Sequence, residues 1–224
     1  MVLDTQEAVD GAERCRGVLT ADELLLLEDL FTRRLNKGPG TRLVGDPALL
    51  QLLCDGGNID GIARAKLGPD VRPVRAVLFD KRQNANWSLG WHQDRTIAVR
   101  EKVDCDGFGP WTRKAGITHV EPPFDYVERM VTLRVHLDPV ESDNGPLMIA
   151  LGSHRIGRIP IEQVDDVARR VGRFVCLADS GDVWVYPTAI LHASDAVRTS
   201  KRRRVLQVDY AAVPLPGGLE WLGV

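Results

Sequence analysis

The run Gly90-Trp91-His92-Gln93-Asp94 places an imidazole and a carboxylate two residues apart. On an extended strand, residues i and i+2 point to one face, so both side chains can reach a single metal ion. The best third ligand in the chain is His192. Two histidines and one carboxylate, with the remaining coordination positions open, is the donor set of non-haem Fe(II) oxygenases. On its own a His-x-Asp triplet is as well explained by a surface loop. His192 on its own reads as a core histidine satisfied by a backbone carbonyl. The weight therefore falls on what surrounds these residues.

The elements that must position them divide the chain in two. Over residues 1–70 the pattern is helical. Thr20-Ala21-Asp22-Glu23 forms a capping box, followed by an apolar stripe at Leu24, Leu27, Leu30, Phe31 and Leu35 that Gly38 and Pro39 stop. Asp46-Pro47 opens a second helix and Gly56-Gly57 closes it, while a third runs from Ile59 to Leu67. From Val71 to Ala211 the chain turns to short β-type runs separated by Gly, Pro, Asn and Asp: 75–81, 97–99, 130–137, 146–150, 174–177, 183–186, 190–194 and 203–211. Asp143-Asn144-Gly145 reads as a hairpin turn, and 161–171 as a helix whose acids lead and whose arginines trail. The excursion from Glu101 to Pro123 shows no periodicity and reads as a lid or binding loop. Many short strands with frequent turns predict a mainly β fold with flanking helices (α+β). That pattern suggests a sandwich or a barrel, of which the jelly roll is the one that hosts cupin-type metal sites, in one domain with a tail over 212–224.

Composition excludes other classes. The chain has 224 residues, is 44% hydrophobic and 27% charged, and has a formal net charge of −2. That balance does not point to nucleic acid, and the basic run Arg202-Arg203-Arg204 has no aromatic residues interleaved. No apolar run reaches the roughly 18 to 20 residues of a membrane span. Met1-Val2-Leu3-Asp4 lacks the features of a secretory signal. Cys15, Cys54, Cys105 and Cys176 form no C-x-x-C pair, so a cytoplasmic protein with reduced thiols is expected.

Four motifs in order, Trp91-His92-Gln93-Asp94, Asn144-Gly145-Pro146-Leu147-Met148, Gly152-Ser153-His154-Arg155 and Leu191-His192-Ala193-Ser194 with Arg203 downstream, resemble the phytanoyl-CoA dioxygenase-like branch of the Fe(II)/2-oxoglutarate oxygenases. The resemblance covers about residues 71 to 211. It implies a double-stranded β-helix (jelly-roll, cupin-like) core with the N-terminal helices packed outside, Fe(II), 2-oxoglutarate as co-substrate, O2, and hydroxylation of a small molecule or a carrier-bound acyl group. By the same resemblance His92, Asp94 and His192 are the metal ligands. Arg203 clamps the far carboxylate of 2-oxoglutarate, Ser194 assists, and Lys81 lies near the co-substrate. A planar guanidinium suits that task because it engages both carboxylate oxygens at once. The segment with Trp111 and His119 departs from the best-known acyl-CoA members. Trp111, His119 and Arg134 are the candidates for substrate contact, while Trp87 and Trp91 read as packing and His154 as a turn residue. Two other classes use part of this set: a cupin-like metal-dependent isomerase or hydrolase, which would not need Arg203, and a non-catalytic metal-binding relative.

Overall fold

The computed structural model describes residues 5–34, 40–54 and 56–224. A seven-stranded antiparallel sheet is built from β1 (Thr5–Val9), β2 (Ala12–Cys15), β3 (Thr41–Leu43), β4 (Arg72–Lys81), β9 (Met130–His136), β12 (Val183–Pro187) and β14 (Arg203–Ala211), in the order β1-β2-β12-β9-β14-β4-β3. A second sheet runs β11-β10-β13-β5, from β5 (Leu89–His92), β10 (Leu147–Ala150), β11 (Arg173–Cys176) and β13 (His192–Ser194). These two sheets make the jelly roll. A three-stranded sheet, β6-β8-β7, comprises β6 (Ile97–Val99), β7 (Trp111–Lys114) and β8 (Ile117–Val120).

Period-two alternation gives the large sheet two chemically different faces. Its outer face presents Leu78, Leu133, Val135, Leu206 and Val208 to the helices α1 (Ala21–Arg34), α2 (Pro47–Leu53) and α3 (Asn58–Leu67). Leu27, Leu30, Leu49, Leu53 and Ile59, each with no measurable exposure, close that layer. At roughly 1.5–3 kcal/mol for each fully buried aliphatic side chain, packing of this face outweighs the few tenths of a kcal/mol per residue that separate helix formers. The capping box forms: Glu23 N donates to Thr20 Oγ1 at 3.2 Å, and Thr20 N to Glu23 Oε2 at 2.8 Å. Asp46 caps α2 by accepting from Ala48 N. The expected stop at Gly38 and Pro39 lies outside the described residues. Two short helices, α4 (Phe124–Glu128) and α5 (Val164–Val171), lie between strands of the barrel half.

Three expectations are corrected. The first third is not helical throughout, because β1, β2 and β3 lie within it and belong to the large sheet. The β1–β2 hairpin turns on Asp10-Gly11, with Val9 opposite Ala12, and an Asp-Gly pair is a hairpin signal. Asp143-Asn144-Gly145 closes no hairpin. β9 pairs with β12 and β14, and β10 with β11 and β13, so this turn carries the chain from one sheet to the other. Its Asn144 side chain accepts from Glu141 N and donates to Pro139 O, fixing the crossing. The 101–123 excursion is not structureless either. β7 and β8 form a hairpin through Ala115 and Gly116, both at positive φ, and pair with β6.

The N-terminal hairpin is locked to the sheet by charge. Arg14 Nε donates to Asp182 Oδ2 at 2.7 Å, and Asp182 also accepts from Gly17 N and Asp179 N at 2.8 Å each. Both side chains of the pair are buried. Removing one partner of a buried pair costs about 3–5 kcal/mol. Asp179 stays within 2.9 Å of Arg14 Nη2, so Asp182→Ala should fall at the lower end, about 3 kcal/mol. The loss should appear as a lower urea midpoint with an unchanged slope; an unchanged midpoint would show that the pair contributes nothing.

Candidate active site

β5 and β13 are antiparallel neighbours whose register sets His92 opposite His192. The two rings stand 4.2 Å apart between centroids. His92 Nδ1 lies 2.8 Å from Gly90 O, and His192 Nδ1 3.1 Å from Ile190 O. A carbonyl can only accept, so Nδ1 carries the hydrogen on both rings and Nε2 keeps a free lone pair. Burial and the neighbouring His92 push His192 down to about 3, which holds it neutral. Asp94 lies two residues beyond the end of β5. Gln93 between them is buried. Its Nε2 donates to Ala189 O and Gly157 O, and its Oε1 accepts from Ile159 N. These three bonds pin the strand exit and turn Asp94 to the side of His92. Ligand atoms of His92, Asp94 and His192 all lie within 4.8 Å of one another.

Asp94 is held by a residue that sequence reasoning passed over. Arg75 Nη2 donates to Asp94 Oδ2 at 2.8 Å, and its Nε to Asp209 Oδ2. Burial opposes charge on Asp94, but the Arg75 guanidinium beside it wins and holds its carboxyl below the ordinary carboxylate range. The only available signal was parity: residues 75, 77, 79 and 81 share one face of β4.

The inner face of the large sheet carries the remaining groups. Arg203 stands opposite Lys81, Gln207 opposite Arg134, and Val205 opposite His136. Arg203 is 2% exposed, and among the described residues its Nε and Nη1 are buried without a hydrogen-bond partner. Burial, then Arg134, pushes it down to about 9. Lys81 is buried, and its Nζ donates to Ser194 Oγ at 2.8 Å and to Asp195 O at 2.6 Å. Burial, then Arg203 and Arg134, brings it down to about 7. Ser194 passes its own hydrogen to Gly145 O at 3.0 Å. Gly145 has φ +71°, and a Cβ there would sit 2.5 Å from Asp195 O, so the Asn-Gly-Pro motif exists to bring two backbones together. Ser153 of the Gly-Ser-His motif accepts from Leu191 N at 2.9 Å and so anchors the strand that carries His192. A buried cation stripped of partners is costly. A carboxylate would relieve it.

Of the substrate candidates, Arg134 faces the interior and donates to Tyr186 Oη at 2.9 Å. His119 is fully buried on β8. Trp111 is not brought to the same place. It pairs with Val120 on the opposite face of the small sheet and packs with the cluster of Phe108, Met130 and Trp221. Trp87, read as packing, lies 4.9 Å below Lys81 Nζ, and Trp91 packs against the α5 layer. His154 sits in a short 3-10 turn, Ser153–Arg155.

The sequence profile of the family described as phytanoyl-CoA dioxygenase (PhyH) matches residues 27–205. The chain belongs to that family, which makes it an Fe/2-oxoglutarate-dependent oxygenase with Fe(II), 2-oxoglutarate and O2 as its cofactors and co-substrates. Among solved structures it resembles EctD from S. alaskensis in its apoform, at 20% identity and a TM-score of 0.67, over 91% of this chain and 73% of that one. It also resembles the non-haem alpha-ketoglutarate-dependent epimerase SnoN from nogalamycin biosynthesis, at 18% and 0.64, over 96% and 90%. HygX from Streptomyces hygroscopicus, solved with nickel, 2-oxoglutarate and hygromycin B, matches at 17% and 0.63, over 91% and 83%. At such identities the likeness is one of fold. No curated protein matches the chain. No helix among the described residues is long and apolar enough to cross a membrane.

Arg203→Ala should keep Fe(II) affinity and lose 2-oxoglutarate. Leaving a carboxylate unpaired in a desolvated site costs about 2–5 kcal/mol, or roughly 30- to several-thousand-fold. Arg202 is bound to Asp80 and Arg204 to Asp138, both away from the interior. Alanine at either should shift the 2-oxoglutarate affinity, measured by calorimetry on the metal-loaded protein, only a few fold. A large loss at Arg202 or Arg204 with none at Arg203 would remove Arg203 from the site.

Proposed function

We propose that this oxygenase hydroxylates a small organic or acyl-type substrate, with His92, Asp94 and His192 as the metal ligands and Arg203, Ser194 and Lys81 as the co-substrate residues. The observation that carries the reading is the coexistence, inside one barrel, of two free imidazole lone pairs and a carboxylate within reach of one ion, with a buried guanidinium whose Nε and Nη1 have no partner among the described residues. A cupin-like isomerase or hydrolase would have no use for that guanidinium.

Each residue then has a task. The Nδ1 bonds to Gly90 O and Ile190 O aim the two lone pairs. Arg75 keeps Asp94 ionised and oriented. Arg203 takes the far carboxylate of 2-oxoglutarate through paired N–H donors. Lys81 adds a donor from the same end, and its bond to Ser194 orients that hydroxyl. With Fe(II) in place, oxidation of 2-oxoglutarate by dioxygen to succinate and carbon dioxide supplies the oxidant for a C–H bond of the substrate. Burial of the inner face keeps bulk water from that oxidant.

The test loads the protein anaerobically with Fe(II) and 2-oxoglutarate, then admits oxygen with a pool of small metabolites. Succinate should appear together with a product one oxygen atom heavier than its precursor. Succinate with a product of unchanged mass would overturn hydroxylation. Consumption of no 2-oxoglutarate would overturn the whole reading. His92→Ala and His192→Ala should each weaken Fe(II) binding by more than about 100-fold, since loss of a mere outer-shell partner already costs about 10–100-fold. Parent-like Fe(II) affinity in either variant would break the proposed triad.

A further inference from the structure

Positive charge inside the barrel mouth exceeds what one 2-oxoglutarate can neutralise. The small sheet has an apolar face, carrying Val99, Trp111 and Val120. Strand register puts Ala98, Thr112, Lys114 and His119 on the other face. Lys114 Nζ donates to Thr96 Oγ1 at 3.0 Å, and Thr96 lies two residues past Asp94. Across from it, Arg42 on the edge strand β3 pairs with Val77, which places it on the inward face of the large sheet beside Arg75. Among the described residues Arg42 Nε is buried without a partner, and so is Nε2 of His119, a residue with no exposure. Among the described residues neither Arg42 nor Lys114 has a carboxylate within ion-pair distance, whereas Arg75 has two. Arg75 bonds Asp94, and Lys114 bonds Thr96 two residues beyond it, so strand register and these bonds bring Arg42 and Lys114 to the Asp94 side of the interior; burial, then Arg75, pushes Lys114 down. Arg42 is four positions along β4 from the register of Lys81, about 13 Å at 3.3 Å per residue. It is therefore well separated from the Arg203 end.

We propose that Arg42 and Lys114 form an anion site at the mouth of the barrel, and that the substrate oxidised here carries a carboxylate or phosphate held by these two cations. His119 Nδ1 already donates to Ile117 O, so its Nε2 is an acceptor. It takes a hydrogen from a hydroxyl or amine of the same molecule. This fixes one end of the substrate while leaving its C–H bond over the proposed metal centre. The inference rests on the oxygenase reading above.

The test uses the full chain loaded with Fe(II) and saturating 2-oxoglutarate under argon, so that Arg203 is already engaged. Calorimetric titrations at constant ionic strength use inorganic phosphate in one arm and acetate in the other, which separates the two sources of negative charge. One arm should show a single equivalent bound. Arg42→Gln and Lys114→Gln should each weaken it about tenfold or more, the effect of losing one charge-assisted hydrogen bond. Arg113→Gln should leave it unchanged, since Arg113 lies on the opposite face and donates to Gly116 O. Unaltered 2-oxoglutarate affinity in the two glutamine variants shows that they are folded. Millimolar phosphate and acetate both failing to bind the parent, or binding the variants equally well, would overturn the anion site. Weakened 2-oxoglutarate binding in Arg42→Gln would overturn it too, by assigning Arg42 to the co-substrate. A parent protein that binds no 2-oxoglutarate before any anion is added would instead sink the oxygenase reading itself.

Discussion

The burial of Arg203 is the constraint on which the rest of the architecture depends. A charged group taken out of water without a partner costs several kcal/mol, against a total stability of roughly 5–15 kcal/mol for a domain. Lys81 stands directly opposite Arg203, and Arg134 lies near enough to depress it. The fold tolerates this because the same strands carry hydrocarbon on the other face. Leu206 and Val208 alternate with Arg203, Val205, Gln207 and Asp209 along β14, and the outer set meets three helices. Stabilising and functional residues are thus interleaved one by one. A one-residue slip of β14 would bury the arginine among leucines and expose the leucines to the barrel, so register and function are specified together.

This interleaving also explains what the sequence disclosed. Short β runs, turn residues and capping signals were strong enough to place β4, β9, β12, β14 and the three N-terminal helices. The β1–β2 hairpin was legible in Asp10-Gly11 and was missed because the leucine-rich stretches around it dominate the first seventy residues. The turn at Asn144-Gly145 was read by local chemistry as a hairpin. Local chemistry cannot say which sheet the next strand joins; only pairing of β10 with β11 and β13 does that. Motif order groups His92, Asp94, His192, Arg203, Ser194 and Lys81; the fold sets the first three within reach of one ion and Arg203 opposite Lys81, which bonds Ser194. Arg75, which holds Asp94, and its partner Asp209 belong to no motif. A charged residue on a strand looks like a solvated face until the sheet it belongs to is known to curl inward. Trp111 was assigned to the site by its loop, and strand parity turned it away.

Several motif residues act on the backbone and not on any ligand. Gln93 ties the exit of β5 to two loops, Ser153 ties the entry to β13, and Gly145 admits Asp195 O into contact. Gln93 stands between His92 and Asp94, Ser153 bonds the residue before His192, and Gly145 O accepts from Ser194. Pre-organisation of this kind fixes the geometry of imidazoles carried on different strands.

His119 shows why local geometry alone does not make a ligand. Its Nδ1 reaches the carbonyl two residues back, Ile117 O at 3.1 Å, in the same way as His92 and His192. Its Nε2 is likewise free, and burial pushes it down to about 4, which keeps the lone pair available. The difference lies across the strand. His92 and His192 face each other and Asp94 is held beside them by Arg75, whereas the register partners of His119 are Ala98 and Thr112, which offer no imidazole or carboxylate. With cations and no second ligand around it, a lone pair at His119 is disposed to meet a hydrogen-bond donor and not a metal ion. Cross-strand pairing therefore decides which histidines of this chain can share an ion, and that information is absent from any window of sequence around them.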